Sequence, residues 1–222
     1  MDNVTFTNCS SLSKLKLPKS LKTLGDGKNS LVFNCENLKE IDIPETVTAL
    51  PNQLFNCCYN ISNVTLHNGL QKLGEAAFAG CYFTSLNIPK TVSEIGEATF
   101  INCPNISNIT LNCNIAKIAS ETFSNCKSLE SISLPLTVKS IEDYAFDCCI
   151  NLSEINIPEE LTKISSNAFK SCHKLKDITL PSSVTEIKEN AFAMCEDITI
   201  HGKMGSYAEQ YAKENNITFK AL

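Results

Sequence analysis

The sequence contains no tryptophan and only eight glycines in 222 residues, and no apolar stretch approaches the length of a membrane-spanning helix. Hydrophobic residues nevertheless make up 43 % of the chain. That share is sufficient to bury a core over a whole domain, so the composition argues against a disordered tail.

A concentration of positive charge is also missing. The net charge is -5 and the pI is near 5.3, and the basic residues are scattered rather than gathered into a run. Binding to nucleic acid or to an anionic membrane depends on clustered basic side chains. We therefore expect no nucleic-acid partner and no membrane insertion.

The N-terminus lacks the features of a signal peptide. Met1 is followed by Asp2 and Asn3 instead of a basic segment and an apolar segment. If the protein is exported, we expect residues outside this sequence to direct it.

Phenylalanine and cysteine recur along the chain at nearly fixed spacing. From Phe123 onward the interval between the recurring phenylalanines is 23 residues each time. Self-similarity at such a period indicates a repeat protein whose units stack. The recurring residues are Phe6, Phe33, Phe55, Phe78, Phe100, Phe123, Phe146, Phe169 and Phe192, and then Cys9, Cys35, Cys58, Cys81, Cys103, Cys126, Cys149, Cys172 and Cys195.

The unit follows the pattern C-x-x-L-x-x-I-x-I-P-x-x-V-x-x-I-x-x-x-A-F-x-x. Its apolar pair at period two, such as Ile155 and Ile157, predicts a short strand with one buried face. The proline that follows ends the strand because it cannot donate to a ladder. The Val-x-x-Ile and Ala-Phe pairs predict a return turn behind the strand.

A unit of 23 residues is too small to bury its own apolar side chains, so stacking is the way in which they leave water together. Nine strands spaced about 4.8 Å apart would form a parallel slab roughly 40 Å long. The predicted fold is an α/β-type repeat solenoid, a right-handed superhelix of leucine-rich repeats. Residues 1–201 form the array, and extra residues at 25–30 project from it as a turn-rich insertion.

Residues 202–222 are predicted to form a C-terminal cap. Ser206 and Glu209 have the spacing of a helix capping box, and Tyr211 and Ala212 lie on one face of the expected helix. A stack needs such a cap because its last repeat would otherwise expose an apolar layer.

The repeat resembles one known family. The order Cys126, Leu129, Ile132, Leu134, Pro135, Val138, Ile141, Ala145, Phe146, Cys149 is similar to the BspA-like leucine-rich repeat family. The resemblance covers residues 6–201, with His67 and Asn112 replacing the proline in two units and Thr99 and Thr122 replacing the alanine in two others. Residues 205–212 also resemble the closing segment of such arrays in Gram-positive gut bacteria.

This resemblance implies a bacterial protein that is secreted or attached to the cell surface. Its partner would be a protein, either of the host extracellular matrix or on another microbial surface. The family has no catalytic residues to transfer, so we expect neither an enzyme nor a cofactor. The leading hypothesis is a binding or adhesion module, and the alternative is a structural spacer that displays other domains.

The cysteines and histidines do not form a recognisable site. No C-x-x-C motif and no Cys-His spacing suited to zinc is present, so no metal is expected. The periodic cysteines should form a buried ladder of reduced thiols, whereas Cys57, Cys113 and Cys148 lie outside it and should be more accessible. His67, His173 and His201 lie in separate repeats without a nucleophile motif.

The outward-facing strand positions are the expected binding surface of the solenoid. Glu154, Asp177 and Asp197 are predicted to lie in one row, about 5 Å apart, where adjacent carboxylates repel each other. A row of this kind favours a basic partner, although Lys174 and Lys176 could simply screen it. The predicted binding residues are Asn108, Thr110, Ser131, Ser133, Glu154, Asn156, Asp177, Thr179 and Asp197.

The first repeat looks incomplete. Val4, Thr5, Phe6 and Cys9 match the end of a unit, and no amphipathic cap precedes them. An open apolar layer at this end predicts either a longer native array or end-to-end self-association.

Overall fold

The computed structural model describes residues 5–25 and 31–222, and of Asn63 it describes the backbone only. The chain forms a solenoid in which successive repeats contribute parallel strands, as predicted. We call the main set of strands the first ladder. Its strands are β2 (Lys14–Leu15), β4 (Glu40–Asp42), β6 (Asn63–Thr65), β8 (Ser85–Ile88), β10 (Asn108–Leu111), β12 (Ser131–Ser133), β14 (Glu154–Asn156), β16 (Asp177–Thr179) and β18 (Thr199–Gly202).

A second parallel ladder lies where the sequence predicted only a return turn. The apolar residue that ends each of its two-residue strands is buried, as Ile118 is beside the exposed Lys117. The return-turn prediction was therefore incomplete, because two residues are too few to show a strand period. The strands are β5 (Ala49–Leu50), β7 (Lys72–Leu73), β9 (Glu94–Ile95), β11 (Lys117–Ile118), β13 (Ser140–Ile141), β15 (Lys163–Ile164) and β17 (Glu186–Ile187). Nearer the N-terminus, β1 (Phe6–Thr7) pairs with β3 (Val32–Phe33).

The core contains a row of stacked phenylalanine rings, one from each repeat from Phe55 onward. From Phe78 to Phe192, consecutive ring centroids are 5.3 to 5.7 Å apart and the ring planes lie within 14° of parallel. Tyr211 closes the row edge-on, 6.1 Å from Phe192. Aromatic pairs in these arrangements contribute more than their buried area alone.

Turns with left-handed backbone connect the strands. Most repeats have two residues of positive φ, one of them directly before the periodic cysteine. Asn102 and Asn125 occupy that position in two repeats, and asparagine tolerates this conformation better than most residues. The amide of Asn125 donates to the carbonyl of Asp147, one coil later, at 2.8 Å. The turns therefore join neighbouring coils, as the ladders do.

All twelve cysteines are free thiols, and nine of them are buried. From Cys81 to Cys195, each periodic thiol donates to the carbonyl of the phenylalanine one coil earlier, at 3.0 to 3.3 Å. Burial raises the pKa of the Cys103 thiol to about 12, which keeps it protonated as a donor. The predicted ladder of buried thiols is confirmed from Cys35 to Cys195, whereas its first member, Cys9, is half-buried.

Among the other cysteines, the predicted accessibility was wrong for Cys113. Cys57 and Cys148 are half-buried, but Cys113 is only 2 % exposed. Cys113 follows β10 and continues its alternation. Leu111 points inward and Asn112 outward, so the side chain of Cys113 points inward again.

Thiol titration measures this burial directly. We expect a thiol reagent to modify few cysteines in the native protein and about nine more after denaturation, because nine are buried. A count near zero in the denatured protein without reductant would show that disulfides hold the stack.

The C-terminal segment packs on the last repeat. Ser206 caps helix α1 (Tyr207–Glu214), accepting a hydrogen bond from the Glu209 amide, so the Ser206 half of the predicted capping box is present. The Glu209 carboxylate accepts from the amide of Gly205 rather than from that of Ser206. After the helix, β19 (Thr218–Ala221) pairs in parallel with β18 and extends the first ladder by one strand.

The N-terminal repeat is less buried than the later ones. Phe6, Leu12, Leu15 and Leu17 are half-buried, whereas Phe123 and Leu129 are fully buried. End-to-end association at this layer stays a prediction. Val4 lies outside the described residues, as does the predicted insertion except for Gly25.

Candidate binding face on the strand ladder

The exposed side chains of the first ladder form one continuous surface, which we call the ladder face. In β10, Asn108 and Thr110 are exposed while Ile109 and Leu111 are buried. The same alternation holds in β12, β14 and β16. The apolar side chains anchor each strand in the core, so the polar ones between them must face solvent. This places Asn108, Thr110, Ser131, Ser133, Glu154, Asn156, Asp177 and Thr179 on the ladder face.

Three shallow depressions lie along the described part of the ladder face. The first has a volume of about 300 Å³ and includes Thr65, Ser85 and Asn87. The second has a volume of about 420 Å³ and includes Thr110, Ser131, Ser133 and Asn156. The third has a volume of about 460 Å³ and includes Glu154, Asn156, Asp177, Thr179 and His201.

The second and third depressions adjoin, because both are lined by Asn156. The second has hydroxyl and amide groups on its walls, and Leu136, which is 75 % exposed, stands at its rim. Its lining contains no ionisable side chain among the described residues. Hydroxyls and amides both donate and accept hydrogen bonds, so this depression suits a neutral polar ligand group.

The third depression is acidic. Glu154, Glu159 and Asp177 contribute carboxylates to its lining, and no described lysine lies on it. The Asp177 Oδ1 atom is 2.7 Å from Nε2 of His201. A cationic group is the complement of such a lining.

The predicted row of three carboxylates is wrong at Asp197. In the paired strands Thr199 lies opposite Asp177, and His201 lies opposite Thr179. Asp197 instead occupies a left-handed turn before β18, with φ of 56°. The last unit is shorter than the repeat pattern between its cysteine and its strand, so Ile198 takes the position of the repeat leucine and Ile200 that of the strand isoleucine.

This shift also explains the position of the Lys176 side chain. The Lys176 Nζ donates to the carbonyl of Glu196 at 2.6 Å and lies 3.9 Å from the Asp197 carboxylate. Lys176 therefore screens the negative charge of Asp197 in the turn before β18. His201 is the ladder-face residue that the sequence reasoning missed, and continuing the alternation one residue beyond the buried Ile200 could have found it.

The other two histidines lie apart from the ladder-face depressions. His67 Nδ1 accepts a hydrogen bond from the Gly69 amide at 3.0 Å, so the ring stabilises the turn where other repeats have proline. His173 is exposed in the turn after Cys172. Neither is placed beside a nucleophile in the described hydrogen bonds, so neither shows a catalytic arrangement.

A cluster of serine, lysine and glutamate lies on the second ladder. The Glu142 carboxylate accepts from Ser140 Oγ at 2.6 Å, from Ser165 Oγ at 3.1 Å and from Lys163 Nζ at 3.3 Å. Burial alone would raise the pKa of Glu142, but these donors outweigh it and hold the pKa below its usual value. Ser140 and Glu142 lie in one coil and Lys163 and Ser165 in the next, so the cluster joins two coils.

Metal sites and membrane spans were also sought. Among residues 5–25 and 31–222, no group of three or more His, Cys, Asp or Glu side chains is arranged to hold a metal ion. Within the same residues, no helix has the length and hydrophobicity needed to span a membrane.

Three solved structures of bacterial leucine-rich repeat proteins are similar to this chain. A leucine-rich repeat protein from Bacteroides ovatus is 27 % identical with a TM-score of 0.83, and the match covers 96 % of this chain and 52 % of that one. A leucine-rich repeat protein from Eubacterium ventriosum is 25 % identical with a TM-score of 0.68, and the match covers 83 % of this chain and 59 % of that one. A leucine rich cell surface protein from Faecalibacterium prausnitzii is 26 % identical with a TM-score of 0.54, and the match covers 88 % of this chain and 68 % of that one.

This chain thus spans about half the length of the Bacteroides ovatus protein. No curated protein matches the sequence. The family described as the BspA type leucine rich repeat region (6 copies) matches residues 1–107 and 93–212. With nearly the whole chain matched and the stacked repeats observed, the protein belongs to the BspA-type leucine-rich repeat family.

Proposed function

We propose that this chain is a non-catalytic module that binds a protein partner through its ladder face, within a cell-surface or secreted protein. The observation that carries the proposal is the pair of adjoining depressions, which together place neutral and acidic groups on one exposed surface. Family membership supports it, since solenoids commonly bind along their extended surfaces. The cell-surface name of the Faecalibacterium prausnitzii structure supports the location.

The proposed binding residues are the ladder-face side chains of β10, β12, β14 and β16, with His201 added and Asp197 removed. Asp197 leaves the set because it lies in the turn before β18. The partner we propose is a protein of the host extracellular matrix or of another microbial surface. We further propose that residues 202–222 serve as the cap of the array formed by residues 1–201.

One observation favours the alternative, a structural spacer that recognises nothing. Binding energy at interfaces concentrates in Trp, Tyr and Arg, and the outward positions of the described first-ladder strands carry none of these. The sequence in fact contains no arginine, and all 19 of its basic residues are lysines. A spacer should keep its function when repeats are deleted, whereas a binding face should not.

Retention of partners by the immobilised protein separates the two functions. The probe is a panel of extracellular-matrix proteins and microbial surface proteins. Ser131→Arg with Ser133→Arg should weaken retention of a bound partner by at least about tenfold, because two large charged side chains then fill the second depression.

The matched control is Thr162→Arg with Thr185→Arg, which adds the same charges at exposed positions beside the second ladder. It should leave retention unchanged. Equal effects of the two pairs would contradict the ladder face as the binding surface, and no retention of any panel member would favour the spacer.

A further inference from the structure

Backbone pairing along the first ladder is interrupted at regular intervals. The paired sets are β2-β4-β6, β8-β10, β12-β14 and β16-β18-β19. Pairing is therefore absent between β6 and β8, between β10 and β12, and between β14 and β16, all of which are described strands. Each of the three depressions spans one of these interruptions. Since neighbouring strands lie about 4.8 Å apart, the interruptions recur roughly every 10 Å along the solenoid.

The three depressions differ in charge. The first and second are lined by neutral described side chains, whereas the third has three carboxylates. Within residues 5–25 and 31–222, no lysine forms an ion pair with Glu154 or Glu159. Glu40, at the N-terminal end of the same face, is instead paired with Lys14 at 2.5 Å. The third depression therefore keeps negative charge available to a partner, next to the half-buried Ile157 and the buried Pro181.

We propose that the ladder face binds an extended polypeptide lying along the solenoid axis in the polyproline II conformation, an inference that rests on the proposed function. A lysine or arginine side chain of this polypeptide occupies the third depression. The residue three positions away, small or neutral and polar, occupies the second depression.

The spacing supports this choice of occupant. A polyproline II chain has three residues per turn and advances about 3.1 Å per residue, so every third side chain faces the same way at intervals of about 9 Å. This matches the interval of roughly 10 Å between the interruptions. A fully extended β-strand would instead alternate its side chains with a period of two residues.

The chemistry of the face supports it as well. The backbone of a polyproline II chain makes no internal hydrogen bonds, so its carbonyls need donors from elsewhere. Asn108, Ser131 and Asn156 offer amide and hydroxyl donors between and within the depressions. The alkyl stem of a lysine or arginine can lie along Ile157 while its charged end meets Glu154 and Glu159.

Labelled proline-rich peptides test the proposal by fluorescence anisotropy on the full chain. The probe peptide carries one arginine with a serine three residues away. A first control has the same composition with the serine two residues from the arginine, and a second replaces the arginine with glutamate. The probe should bind at least about tenfold more tightly than either control.

Charge reversal on the protein supplies the second arm. Glu154→Lys with Asp177→Lys should lower the affinity for the probe peptide at least about tenfold. Glu40→Lys with Asp42→Lys should change that affinity less than about twofold. Glu154→Gln with Glu159→Gln keeps the side-chain shapes and should also lower the affinity for the probe peptide. Thermal unfolding of each variant confirms that it remains folded.

Equal binding of the probe and its first control would overturn the polyproline II spacing, and equal losses from the two reversals would overturn the acidic subsite. Binding of a neutral oligosaccharide with no binding of any peptide would overturn the polypeptide as occupant. If peptides fail while Ser131→Arg with Ser133→Arg still abolishes retention of a protein partner, only this inference fails. If that pair also has no effect, the proposed function fails.

Discussion

Replacing Phe146 with alanine is expected to lower the free energy of unfolding by about 3 to 5 kcal/mol. The ring is fully buried and stacks on Phe123 and Phe169 with centroid distances of 5.3 Å on both sides. Its removal loses the transfer free energy of the ring and leaves a cavity inside the row. Because each coil contacts only its neighbours, the loss should act on the two flanking interfaces first.

Urea unfolding followed by circular dichroism measures this loss. Phe146→Leu is the graded control, with an expected loss of roughly 1 to 2 kcal/mol because most of the volume is kept. Ser131→Ala, on the exposed ladder face, should change stability by less than about 0.5 kcal/mol. A loss below about 1 kcal/mol for the alanine variant would contradict a packed ring row.

Removing residues 203–222 is expected to cost more than about 3 kcal/mol, because Tyr211 alone is a buried aromatic residue. The helix also buries Ala208 and Ala212, and β19 pairs with β18 through four residues. Without this segment the ring of Phe192 would face water, and the end of the ladder would be open to other chains.

Light scattering and thermal unfolding of the shortened protein measure both consequences. Tyr211→Ala serves as the milder variant, because it keeps β19 and removes the ring that closes the phenylalanine row. An unchanged unfolding midpoint, together with an unchanged molecular mass, would contradict the proposed role of residues 202–222 as a cap.

The sequence was sufficient to predict the first ladder, the buried thiols and the start of the helix, because each has a strong local signal. Ile155 lies between the outward Glu154 and Asn156, and this alternation alone shows which side chains face solvent. Ser206 and Glu209 likewise have a spacing with few other interpretations.

The second ladder and the C-terminal register could not be predicted in the same way. A strand such as β13 has two residues, and its buried Ile141 belongs equally to a turn in the sequence pattern. At Asp197 the repeat is shortened, and two apolar positions, Ile198 and Ile200, each offered a plausible strand centre. A one-residue difference in spacing changes which side chains reach a face, so the acidic row was misplaced.

The depressions of the candidate site were even less predictable from the sequence than the second ladder, because they depend on tertiary structure. The depressions arise where neighbouring strands do not pair, and pairing between repeats has no signature within one repeat. Leu136 stands exposed at the rim of the second depression, yet in sequence it is one more residue after a proline. The meeting of His201 with Asp177 likewise required the register of β16 and β18.

Amide hydrogen exchange of the chain with and without a retained protein partner tests the ladder face most directly. The account predicts slower exchange on binding in β10, β12, β14 and β16, above all at the interruptions, where these described strands do not pair with each other. The strands β11, β13 and β15 of the second ladder should exchange as before. Protection confined to the second ladder, or none in any strand while a partner is bound, would contradict binding through the ladder face.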